Sequence, residues 1–392
     1  MNIQRCERIG AWLCGGILFV LTLLMVKVEM TKGYEVLLYS DFATHSTWAT
    51  GGLPDPLYDK FYAYPLWHLA VRGLNRLLPV GREYAGALVT AMCIGITAVI
   101  LWRYLYRQLR ESVSGRDICL LTIGLLILTA LYMPWFNKEV YLGQSSPTIW
   151  HNPTNMAVKP VALLAVLFFL NLYAGVFTDK NTLGWTELLQ FAGLCLLSCF
   201  VKPSFLQGFL PAVMVFLFIE LICTQGKSLA ASLKFALAFL PSGCYFLVQY
   251  ISVFGENAER GIAVAPFSVM RLDTAYPLIS ILQSVAFPLF VLAVIGGKRL
   301  LQDKPLLFSV CFYVVSLLEF ILLIEVNEPE SGNFEWALQL ALFILFIITA
   351  VRFFQQKNRK RWVSWLGKGL FFYHTASGIY YYFYLLVSPL QC

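Results

Sequence analysis

The sequence predicts an all-α, polytopic membrane protein with about 11 transmembrane helices. Its first extracytoplasmic loop is long and carries an interfacial helix. Three observations predict this. The 392 residues are 59% hydrophobic and only 13% charged, with a mean hydropathy of +0.69, whereas soluble domains are about 25% charged. The apolar runs are about 18–22 residues long and show no strict alternation, which selects helices over a barrel. The basic residues gather at the ends of those runs, as the positive-inside rule requires.

The first run, 9–28, follows Arg5 and Arg8. It is too long for a signal peptide and lacks a small-residue cleavage site, so it is expected to be a retained first span. Ten further spans are expected at 84–102, 117–134, 157–177, 187–201, 206–224, 233–254, 277–296, 305–324, 334–353 and 369–388. The segment 64–80 is apolar on one side but holds Arg72 and Arg76. Two arginines at mid-membrane would cost at least ~5 kcal/mol, so an amphipathic helix lying in the interface is expected instead. That choice places Arg103, Arg107, Arg110 and Arg116 on the cytoplasmic side. Lys298, Arg299, Lys304 and the block from Lys357 to Lys368 fall there as well. The N-terminus is then cytoplasmic and the C-terminus extracytoplasmic.

Residues 1–392 read as a single integral-membrane domain, with 29–83 as its first outer loop. The net charge of +7 is explained by topology, and no nucleic-acid partner is expected. Eight of the ten cysteines (Cys14, Cys93, Cys119, Cys195, Cys199, Cys223, Cys244 and Cys311) lie in apolar runs. They are expected to be small core residues with no redox or metal role. No Gly-rich phosphate loop, His-Glu-x-x-His or nucleophile elbow is present, which argues against direct nucleotide use and a serine nucleophile.

The candidate chemistry lies in the outer loops. The first holds Asp41 and His45 in Tyr39-Ser-Asp-Phe-Ala-Thr-His-Ser-Thr-Trp48. A carboxylate among aromatics at a membrane surface suits a general base toward a hydroxyl, and it equally suits a helix N-cap. Asp55 and Asp59 sit among prolines and read chiefly as turn residues. The loop before the fourth span carries Gln144, His151 and Asn152, which offer hydrogen bonds to phosphate or sugar. Lys202-Pro203 interrupts an apolar stretch running from Leu188 to Leu221. A lysine at such a break can hold a phosphate or snorkel to the interface. Arg260, Arg271 and Lys159 are further outer cations. Glu325, Glu328, Glu330 and Trp336 suit a sugar or a solvated loop. His374 is expected to be a satisfied buried histidine, and Tyr380-Tyr-Tyr-Phe-Tyr384 an interfacial aromatic belt.

The chain resembles the GT-C superfamily of integral-membrane glycosyltransferases. The resemblance rests on a first span, a long outer loop with the early acid Asp41, an interfacial helix and about ten further spans. Lys202-Pro203 on a short outer turn is similar to the Lys-Pro step of bacterial polyprenyl-phosphate-mannose-type transferases. The resemblance implies a polyprenyl-phosphate sugar donor, a glycan, lipid or protein acceptor, and inverting transfer with Asp41 as base. With that donor, Lys202, His151, Arg260 and Arg271 are expected at the donor phosphate, and His45, Gln144, Asn152, Glu330 and Trp336 at the substrates. The short basic inner loops and the lack of an import-type leader suggest a bacterial plasma membrane. Many members carry two adjacent acids, whereas Asp41 is followed by Phe42, so no cofactor or metal is expected. A lipid-linked oligosaccharide polymerase or ligase, and a lipid or sugar transporter, are the alternatives.

Overall fold

The computed structural model describes residues 3–35, 41–51, 63–78, 80–138, 144–179, 182–254, 261–326, 332–356 and 359–387. Arg260, Glu328, Glu330, Asp55 and Asp59 lie outside the described residues. The chain is predominantly helical. Seven helices are long and apolar enough to cross a membrane, and a bent pair makes up to eight. This is a polytopic membrane protein.

Helix α1, Ile3–Glu35, packs along α4, Arg82–Leu109, through their apolar faces. Between them lie two short helices, α2 (Asp41–Thr50) and α3 (Leu66–Leu77). Helix α3 occupies the segment expected to be interfacial. It buries Trp67, His68 and Val71 on one face, while Leu69 and Leu77 are exposed. Arg72 Nε donates to the Ala49 carbonyl at 2.8 Å, tying α3 to α2.

After α5, Gly115–Ile127, the chain leaves helical geometry at Leu128. The expected span 117–134 is therefore a 13-residue helix followed by non-helical backbone. Partners elsewhere in the fold satisfy that backbone. His374 Nδ1 meets the Thr129 carbonyl at 2.7 Å, Ser377 Oγ accepts from Tyr132 N, and the Gln283 carbonyl accepts from Leu131 N. A Cβ at Gly378 would lie 2.1 Å from the Ile127 carbonyl oxygen. Only glycine admits the backbone that closely.

The remaining long elements are α6 (Pro153–Tyr173), which continues as a π-turn to Thr178, α7 (Trp185–Val201) and α8 (Ser204–Cys223). They are followed by α9 (Leu229–Ala238) and α10 (Leu240–Phe254), which meet at a 46° bend. A four-residue helix, α11 (Met270–Asp273), precedes α12 (Pro277–Ile295), α13 (Gly297–Gln302), α14 (Lys304–Leu322), α15 (Glu335–Gln355) and α16 (Arg361–Val387). The count of about 11 spans is not reached by length and composition. Besides α5, α7 has only 17 residues, and α16 is long but rich in Tyr, Ser and Gly. Two short strands, β1 (Ile262–Val264) and β2 (Leu323–Glu325), pair antiparallel, which the sequence did not suggest.

Helix α15 is the most buried span, and α6, α8 and α14 pack around it. The bundle has two distinct ends. One is basic and ion-paired: Lys304 Nζ lies 3.0 Å from Glu220 Oε2, Arg352 pairs with Asp303, and Arg107 approaches Glu7 at 3.5 Å. The other end gathers α2, α3, the starts of α6, α8 and α15, and the β-pair.

Candidate functional site

At this second end the start of α6 is the organising feature. Pro153 sits at the first helical position and Asn152 caps the helix, its Oδ1 accepting from Asn155 N at 2.8 Å. Pro at N1 and Asn at the cap are the residues that a helix start prefers. Because Oδ1 turns inward to cap, Nδ2 points outward. It donates to Asp41 Oδ2 at 2.7 Å. Asp41 is the first residue of α2, where an acid meets the positive end of the helix.

Lys202 completes the set. Proline restricts the residue before it to extended geometry, and Lys202 has φ −163 and ψ 123. This ends α7 and turns the side chain into the protein. Lys202 Nζ donates to Asn152 Oδ1 at 3.1 Å and to Thr154 Oγ1 at 3.2 Å, and lies 4.7 Å from the Trp336 ring centroid. Burial lowers its pKa to about 8, and the Asp41 charge opposes that shift. One amide, that of Asn152, therefore joins a carboxylate on one side to a buried amine on the other.

His151 Nε2 stands 3.7 Å from Asp41 Oδ2, beyond direct hydrogen-bond range. Its ring lies against Trp336, with centroids 5.7 Å apart. Trp336 is fixed by a bond from Nε1 to Asn333 Oδ1 at 3.2 Å. Helices α6, α8 and α15 all begin here, so three positive dipole ends converge on this region.

Asp41, His151, Asn152, Lys202 and Trp336 thus come together from four separate stretches of sequence. Other candidates lie elsewhere. His45 points into a buried aromatic nest, where its Nδ1 is 2.9 Å from His68 Nε2. Trp48 and Trp67 pack edge-on to it. Burial lowers the His68 pKa to about 4, and the Lys202 and Arg72 charges add to the effect. Tyr64 is raised by burial, with the Asp41 and Glu325 carboxylates contributing, so Glu325 faces the same region. Gln144 is fully buried, and its amide has no hydrogen-bond partner among the described residues. Arg271 is exposed on α11 and makes no bond to the Asp41 group.

Sequence reasoning missed Thr154 and the His45–His68 pair. It placed Lys159 among outer cations, but Lys159 is buried within α6, where its Nζ donates to the Pro147 carbonyl at 2.9 Å. That bond anchors the loop presenting His151 and Asn152. Among the described residues, no group of three or more His, Cys, Asp or Glu is placed to hold a metal ion. Comparison of the chain with protein-family models finds no match, and comparison with curated proteins finds none either.

Proposed function

We propose that this chain is a membrane glycosyltransferase that moves a single sugar from a polyprenyl-phosphate donor to an acceptor hydroxyl at the outer face of the membrane. The observation that carries this reading is the Asp41–Asn152–Lys202 chain at the end where α6, α8 and α15 begin. In an inverting displacement, the acceptor hydroxyl attacks the anomeric carbon as the bond from that carbon to the phosphate oxygen breaks. The hydroxyl proton passes to Asp41, whose Oδ2 is held by Asn152 while Oδ1 is left to face the acceptor. Negative charge grows on the departing polyprenyl phosphate. Lys202, the helix N-termini and His151 are the groups that stabilise it. Trp336, buried against Lys202 and His151, backs the group. Neither a covalent intermediate nor a nucleotide takes part. The group lies at the end opposite the basic, ion-paired one, which suits an extracytoplasmic site in a bacterial plasma membrane.

A second reading, a lipid or sugar transporter, is favoured by one observation. The break after α5 leaves unwound backbone inside the bundle, held by His374 and Ser377, as in discontinuous transporter helices. One experiment separates the two. Purified protein in nanodiscs is given a panel of labelled polyprenyl-phosphate sugars with candidate acceptors. A transferase releases free polyprenyl phosphate from one donor, and failure to release it from any donor rejects the transferase reading. Labelled lipid crossing a vesicle membrane unchanged would support transport.

A further inference from the structure

At the basic end of the bundle, far from Asp41, a lateral cleft of about 760 Å³ opens between α5 and α16. It runs along α5 as far as Ile127, where that helix stops. Its inner walls are apolar, formed by Leu120, Ile123, Ile127, Phe371, Phe372 and Ile379. Leu120 and Phe372 are largely exposed, so the cleft faces hydrocarbon. Along α5, from Gly115 to Ile127, the wall runs roughly 20 Å at 1.5 Å per residue. That is more than half the roughly 30 Å hydrocarbon core.

The mouth of the cleft has a different character. Arg359 and Lys368 line it, together with the hydroxyls of Ser112, Ser114 and Ser364. The Arg359 guanidinium lies flat on Phe353, its Cζ 3.6 Å from the ring centroid, and Nε donates to the Gln356 carbonyl. Its Nη1 is buried and has no acceptor among the described residues. The rest of the guanidinium carries the positive charge that an anionic group at the mouth would meet. The one acid at the mouth, Asp117, is engaged by Ser114 Oγ at 2.8 Å. Two cations and the hydroxyls of Ser112 and Ser364 therefore stand above an apolar slot.

We propose that this cleft is a binding site for one phospholipid with an anionic headgroup. The phosphate sits against Arg359, Lys368 and the Ser112 and Ser364 hydroxyls, and an acyl chain fills the slot between α5 and α16. The charge placement selects a lipid over a partner helix, because two cations beside one continuous apolar wall match an anionic headgroup joined to an acyl chain. Opening sideways into hydrocarbon selects a bilayer lipid over a soluble phosphate.

The test uses the full chain in nanodiscs of phosphatidylcholine containing one-fifth phosphatidylglycerol, with native mass spectrometry counting lipids retained as the disc is stripped. The wild type is expected to keep one phosphatidylglycerol and no phosphatidylcholine. The Arg359→Gln/Lys368→Gln double variant should lose that lipid at least tenfold more readily. Ile379→Trp, at an exposed position on the cleft wall, fills the slot without touching the basic mouth and should also reduce retention. Retention that is equal for the two headgroups, or unchanged in both variants, overturns the proposal.

Discussion

Lys202→Met should make the protein more stable while removing its hold on a lipid phosphate. Burial takes the amine from 10.5 to about 8. At 1.36 kcal/mol per pH unit, keeping it charged in place costs roughly 3 kcal/mol. Methionine fills a similar volume without that cost. The amine also donates to Asn152 Oδ1 and Thr154 Oγ1, and each bond contributes about 1 kcal/mol. Removing it leaves Asn152 Oδ1 still accepting from Asn155 N and Thr154 Oγ1, so no acceptor is orphaned. The net expectation is a gain of about 1–3 kcal/mol at pH 7, read as a rise of a few degrees in melting temperature. The sign with pH follows from the lowered pKa. The cost to the wild type is complete below about pH 8 and fades as pH rises toward 10.5. At pH 9.5 the advantage of the methionine variant should therefore be smaller by roughly 2 kcal/mol. Losing a charged hydrogen bond to phosphate, about 1.5–3 kcal/mol, should weaken polyprenyl-phosphate binding roughly 10- to 150-fold. Thermal melts at the two pH values and lipid titrations in nanodiscs measure both. A variant that melts lower and binds the phosphate lipid as the wild type does would refute the reasoning.

Three further outcomes are expected. Asn152→Ala unlinks Asp41 from Lys202 and should lower the transfer rate roughly 10- to 100-fold, measured as turnover at saturating donor; an unchanged rate would place Asn152 outside the machinery. His68 is lowered from 6.5 to about 4, so the unfolded chain binds its proton first and stability should fall by roughly 3 kcal/mol between pH 6.5 and 4. His68→Leu should flatten that part of the acid-denaturation curve, and an unaltered curve would assign the loss to other groups. Gly378→Ala places a methyl against the Ile127 carbonyl and should cost about 1–3 kcal/mol, seen as a lower melting temperature; no change would mean that the unwound segment yields freely.

Much of the helical layout is legible in the sequence because apolar runs of sufficient length have few alternatives in a bilayer. The start of α2 at Asp41 and the end of α7 at Lys202 were legible for local reasons, an acid at a helix start and a proline after the lysine. Asn152-Pro153-Thr154-Asn155 is likewise a capping signature, and reading it that way would have pointed the Asn152 amide outward. Tertiary structure decides the rest. Nothing in Leu125 to Leu131 breaks a helix; the backbone unwinds because Gly378 makes room and His374, Ser377 and the Gln283 carbonyl take up its polar groups. His45 and His68 are 23 residues apart, and only the packing of α3 on α2 pairs them. Lys159 reads as an exposed cation because its carbonyl partner, Pro147, lies in a loop whose path has no local code.

In the proposed reaction Asp41 takes the acceptor proton while Lys202 and its surroundings hold the donor. Single-turnover transfer and donor binding, measured side by side for the wild type and Asp41→Asn, test it most directly. The account predicts a loss of transfer of at least about 100-fold with donor affinity kept within a few-fold. An Asp41→Asn protein that transfers sugar at the wild-type rate would contradict it.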